Sequence, residues 1–178
     1  MKHLVLLSSF ILLSFCSCNK KDDAPAPPIT AENTFSCKID GELFVPKKHG
    51  GFLNTGNGIK VNLLPNNTWK LNFGDGSYDL FIYLSNISNI GRVDIEESDG
   101  DLDFFEEDIN LIELKNRNTD RVFYSLFNLN AINIRGITSR KNLILEFGEI
   151  KLLNSHNSSD TITISEGKLN LNIDTLNQ

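Results

Sequence analysis

The sequence predicts an all-β fold, an antiparallel β-sandwich, with a calycin- or lipocalin-like β-barrel as the alternative closure. Three observations carry that prediction. Apolar residues recur at every second position, as in Ile59-Lys60-Val61-Asn62-Leu63, Trp69-Lys70-Leu71-Asn72-Phe73 and Leu169-Asn170-Leu171-Asn172-Ile173. That period suits half-buried antiparallel strands, with one face in the core and one in water. Pairs rich in Asn, Asp and Gly punctuate the alternation: Asp40-Gly41, Gly50-Gly51, Asn57-Gly58, Asn66-Asn67, Asp75-Gly76, Asp99-Gly100 and Glu166-Gly167. Asn, Asp and Gly tolerate the positive φ of tight hairpins. No long segment has the 3.6-residue period of an amphipathic helix. The best candidate for a helical turn, Phe104 to Leu114, contains the β-branched Ile109 and Ile112, which favour strands.

Composition sets the outer bounds. At 178 residues the chain has room for one ordinary domain and a tail. With 40% hydrophobic and 22% charged residues it can bury a core. A formal charge of −6 argues against nucleic acid as a partner, because phosphate binding needs a basic face. Three Cys and three His are too few for a disulfide-dense scaffold and make a zinc centre a poor fit.

The chain opens with basic Met1-Lys2-His3 and an apolar run from Leu4 to Phe15. At roughly 12 residues the run falls short of the roughly 20 that span a bilayer, and it reads as a secretory signal. The stretch Leu13-Ser14-Phe15-Cys16-Ser17-Cys18 resembles the lipobox of bacterial lipoproteins. That motif wants a small residue before the acylated cysteine, so Cys18 after Ser17 fits and Cys16 after Phe15 does not. The resemblance implies that residues 1–17 are cleaved and that Cys18 carries palmitate-type acyl chains holding the protein to a membrane. Asn19-Lys20-Lys21-Asp22-Asp23 resembles the surface-export signal of Bacteroidota lipoproteins, implying the outer membrane and an outward-facing domain. The stretch from Ala24 to Ala31, with Pro25, Pro27 and Pro28, then reads as an extended spacer, since proline fixes φ and lacks an N–H. Residues 18–31 are thus the lipidated N-terminus and tether, and residues 32–178 the all-β domain.

Roughly ten or eleven strands fit the domain. Cys37 shares parity with Phe35 and Ile39, which places it in the core as a small apolar residue. Trp69 shares parity with Leu71 and Phe73 and reads as core. Two runs are apolar on both faces, Leu80-Phe81-Ile82-Tyr83-Leu84 and Val122-Phe123-Tyr124-Ser125-Leu126-Phe127. Such strands lie centrally under cover or beside a cavity. A cavity lined by Phe81, Tyr83, Phe123 and Tyr124 would suit a small apolar or glycan ligand.

The acidic run from Asp94 to Asp108 invites comparison with a calcium loop. Placing Gly100 at its sixth position sets Glu97, Asp99 and Glu106 at ligand positions. It also sets Ile95 at the first, where no side-chain oxygen exists. A solvated acidic loop without metal is the better reading. His49 and His156 stand in polar loop sequence with no nucleophile motif, and no nucleophile elbow, H-E-x-x-H or phosphate loop occurs. The reading is non-enzymatic, with neither catalytic residue nor cofactor.

Asp160-Thr161-Ile162 and Asp174-Thr175-Leu176 each resemble the acceptor motif of Bacteroidota protein O-glycosylation, implying glycans on Thr161 and Thr175. The opening Thr34-Phe35-Ser36-Cys37-Lys38-Ile39-Asp40-Gly41 with Phe44 and Pro46 resembles that of small uncharacterised Bacteroidota surface lipoprotein domains. The segment from Thr161 to Leu169 is similar to their closing hairpin, while Glu146-Phe147-Gly148-Glu149 departs from their pattern. The resemblance speaks to fold more than function; the function reading is a non-enzymatic surface binding or structural lipoprotein with a protein or glycan partner. A carrier of a small ligand in an enclosed β pocket is the alternative.

Overall fold

A computed structural model describes residues 32–47, 58–98, 109–126, 130–138 and 141–176. Its twelve strands are β1 (Thr34–Ile39), β2 (Glu42–Phe44), β3 (Ile59–Leu64), β4 (Thr68–Gly74), β5 (Tyr78–Leu84) and β6 (Gly91–Ile95), then β7 (Leu111–Asn116), β8 (Arg121–Ser125), β9 (Asn130–Thr138), β10 (Asn142–Phe147), β11 (Ile150–Asn154) and β12 (Asn157–Asn172). A 3-10 turn at Pro65–Asn67 and a single helical turn, α1 (Ile173–Leu176), complete the described elements. All pairings are antiparallel and form one sheet in the order β3-β4-β5-β7-β8-β11-β12-β10-β9-β6, with β1 on the other side of β12 and β2 beyond it. The sheet does not close into a barrel; it folds over itself as a sandwich. Phe35 on β1 stacks on Phe73 on β4, ring centroids 3.9 Å apart, although these strands are far apart along the hydrogen-bonded order.

Several predicted turns are formed. Asp40 and Gly41, at φ 47° and 83°, make the two-residue turn of the β1–β2 hairpin. Asn66 and Asn67, both at positive φ, turn β3 into β4. Asp75 accepts the Ser77 and Tyr78 amides through Oδ1 and closes the β4–β5 turn.

Glu166-Gly167 behaves otherwise. The alternation on either side predicts two strands with a turn between, and the family resemblance implies a closing hairpin, yet β12 runs unbroken through them. Between Ser36 and Lys38 of β1, β12 carries one extra residue, and Glu166 sits at φ 53°. This is a β-bulge, which bends a strand without ending it. On its other side β12 pairs first with β11 and then with β10, which break at exposed Gly148-Glu149. Both strands therefore turn the corner between layers together. At the corner the Phe147 ring covers Gly167 so closely that a Cβ there would overlap three ring atoms.

The core lies between the layers. Trp69, Leu71 and Phe73 of β4, Leu80, Ile82 and Leu84 of β5, and Leu143, Leu145, Leu169 and Leu171 of the opposing layer are buried. Cys37 belongs to it, as its parity predicted, and burial pushes its thiol pKa up to about 12. The segment from Phe104 to Leu114, whose β-branched residues argued against a helical turn, ends in strand β7; residues 104–108 of it lie outside the described residues.

Candidate functional site

β5 and β8 are both interior to the sheet, flanked by β4 and β7 and by β7 and β11. Their apolar character on two faces thus has two causes. Leu80, Ile82 and Phe123 face the core, whereas Phe81, Tyr83 and Tyr124 face outward. Because side chains alternate along a strand, Phe123 cannot join the other three around one cavity. The four-ring pocket anticipated from sequence is thereby reduced to three rings on the outer face.

On that face the register builds a row across adjacent strands: Asn72, Phe81, Glu113, Tyr124, Leu153 and Thr161. Tyr83 lies two residues along β5 from Phe81, with the Lys70 ammonium 5.6 Å from its ring centroid. Tyr83 is buried, Phe81 and Tyr124 half-buried. At the centre of the row Glu113 is fully buried and accepts a hydrogen bond from the Ser98 hydroxyl. The chain reaches that point from β6: Glu96 N–H donates to the Asn110 carbonyl, Ser125 Oγ donates to the Glu96 carbonyl, and Ser98 N–H donates to the Ser125 carbonyl. These bonds carry the chain around the strand ends from the second layer to the outer face of the first.

Sequence reasoning missed Glu113 and Ser98. Leu111 shares the outer parity with Glu113 in Leu111-Ile112-Glu113-Leu114, but a single apolar residue on an outer face does not imply a cover, so no sequence signal marked the buried Glu113.

Toward the β4–β5 turn the same face becomes charged. Arg117 holds Asp79 through two parallel bonds of 2.6 and 2.8 Å, and the Asp79 carboxylate is only 10% exposed. This bond raises the pKa of the guanidinium. Lys115 pairs with Asp120 at 2.7 Å and lowers its pKa, chiefly through their hydrogen bond.

The remaining predicted positions fall as follows. Cys18 and His49 lie outside the described residues. Thr161 is half-buried at the end of the outer row. The Thr175 hydroxyl donates to Glu32 Oε2 and accepts from Asn33 Nδ2, both at 2.9 Å, tying α1 to the start of the domain. Residues 99–108 of the acidic run lie outside the described residues, and Ile95, the first position of the imagined calcium loop, is a buried strand residue. His156 is exposed in the β11–β12 turn, its Nδ1 2.8 Å from the neighbouring Ser155 hydroxyl.

No protein-family model, curated protein or solved structure matches this chain. The likeness to Bacteroidota lipoproteins therefore rests on the sequence motifs alone. Among the described residues, no helix is long and apolar enough to cross a membrane.

Proposed function

We propose that this chain is a non-enzymatic binding module, held on the outer membrane by acyl chains on Cys18 and facing outward, with the outer face of β4, β5, β7 and β8 as its ligand face. The observation that carries this reading is the placement of Phe81 and Tyr124 on either side of Glu113, on the face turned away from the core. Phe81 and Tyr124 are only half-buried, so part of each ring stays open to a ligand beside the covered Glu113 and Tyr83. Asn72 beside Phe81, and Lys70 over Tyr83, add polar groups at the rim of those rings. Flat apolar area edged by amides and a cation suits a saccharide, whose C–H face packs on a ring while its hydroxyls bond to neighbouring polar groups.

The test is binding of a panel of immobilised glycans to the full chain and to the Phe81→Ala and Tyr124→Ala variants. Phe81 and Tyr124 are only half-buried, so both variants should retain the wild-type circular dichroism. Selective glycan binding that falls at least tenfold in both variants supports the reading. Binding that neither variant weakens, or no glycan bound at all, refutes it.

A further inference from the structure

Among the described residues no strand pairs with the outer side of β2, and that edge has a distinct chemistry. Ile39 and Glu42 flank the two-residue turn and pair across it, and Cys37 pairs with Phe44 two positions on. In an antiparallel ladder such positions exchange backbone bonds, and the residues between them turn their N–H and C=O to the other edge. Leu43 is that intervening residue, so its amide and carbonyl point away from β1. No strand pairs with that side of β2 among the described residues.

The Leu43 side chain is 73% exposed and Val45 is 39% exposed, both high for large apolar groups. Beside them a cleft of about 360 Å³ separates the β1–β2 hairpin from the β4–β5 turn. Asp40, Glu42 and Asp75 contribute carboxylates to its lining, Tyr78 and Phe44 contribute rings, and among the described residues no Lys, Arg or His lines it. An unpaired strand edge with exposed apolar side chains is a template for another strand. The carboxylates select which strand: a cationic one gains from all three, whereas a second copy of this acidic chain would bring the same charges against themselves.

We propose that the free edge of β2 and the cleft beside it take up an extended, Lys- or Arg-bearing peptide segment of a partner protein as an added strand. Backbone bonds to Leu43 give the register, and the Asp40, Glu42 and Asp75 carboxylates give the charge preference. This site is separate from the aromatic outer face and does not depend on a ligand there.

The test uses the full chain in mild detergent and a fluorescent eight-residue peptide alternating Lys with Val and Thr. Three comparisons are made by anisotropy: a peptide with Glu in place of Lys, a peptide N-methylated at alternate amides, and the protein variants Glu42→Lys and Leu43→Pro. The Lys peptide should bind saturably and the Glu peptide should not. Glu42→Lys, N-methylation and Leu43→Pro should each weaken binding about tenfold, the first only at low salt. Equal binding of the Glu peptide, undiminished binding of the N-methylated peptide, or no saturable binding of the Lys peptide overturns the proposal. Should Leu43→Pro fail to fold, N-methylation tests the backbone bonds on the unaltered protein.

Discussion

Replacing Gly167 with Ala places a methyl group where the Phe147 ring already lies. Three ring carbons would stand within 3.0 Å of the new Cβ, a separation that real Cβ atoms do not show. The ring has to retreat by about 1.5 Å to reach ordinary contact. It has little room, being 3% exposed and packed near Phe35, whose ring is in turn stacked on Phe73. Overpacking of this kind costs about 1–3 kcal/mol. The smaller entropy of an unfolded chain bearing Ala returns about 0.4–1 kcal/mol, leaving a net loss of about 1–2 kcal/mol. With a urea m-value of about 2 kcal/mol/M the midpoint should fall by about 0.5–1 M. The assay is equilibrium unfolding followed by emission of Trp69, the only tryptophan and fully buried. Phe147→Leu supplies the control. It should be destabilising by itself, yet make Gly167→Ala cheaper by about 1 kcal/mol or more, because the obstructing ring is gone. A Gly167→Ala midpoint at or above wild type, or costs that simply add in the double variant, would refute the account of the corner.

Three further outcomes follow from the same physics. Cys37 keeps its proton to about pH 12 in the folded chain against an ordinary thiol value of 9.0, so unfolding releases a proton between those values. Stability from this group is full below pH 9 and falls as pH rises toward 12, by about 1.4 kcal/mol per unit at most; Cys37→Ala should flatten that part of the stability–pH curve relative to wild type. Arg117→Ala strips the partner from the nearly buried Asp79 carboxylate and should destabilise by about 1–2 kcal/mol, a figure reduced because the arginine itself is half-exposed. Arg117→Lys should recover little of it, since an ammonium cannot make both parallel bonds; urea midpoints of the two variants decide this. Cys18→Ala should release the protein from membranes and abolish incorporation of labelled palmitate in cells, and continued incorporation would show that the anchor lies elsewhere.

Local pattern read well wherever the deciding interaction was local. The alternation in Trp69-Lys70-Leu71-Asn72-Phe73 identified β4 and its core face, and the parity of Cys37 placed it among Phe35 and Ile39. Asp40-Gly41 named its own turn, because positive φ is a property of single residues. Glu166-Gly167 carried the same local signal and became a bulge. The difference is that β1 pairs with β12 on both sides of it, a contact more than 120 residues away in sequence. The candidate site divided in the same way. Phe81, Tyr83 and Tyr124 were recognisable as surplus apolar residues, but only the register of β5, β7 and β8 aligned two of them with Glu113 and turned Phe123 to the opposite face.

The sequence by itself determined an antiparallel all-β domain, the faces of most strands and the turns at Asp40-Gly41, Asn66-Asn67 and Asp75-Gly76, since each depends on covalent geometry and the two-residue period of an extended chain. Only the tertiary structure decided where strand β12 bends, which outer-face residues share a row, and that among the described residues β2 pairs on one side only. Those depend on which distant strands pair and in what register, and a one-residue change in register moves every side chain to the other face.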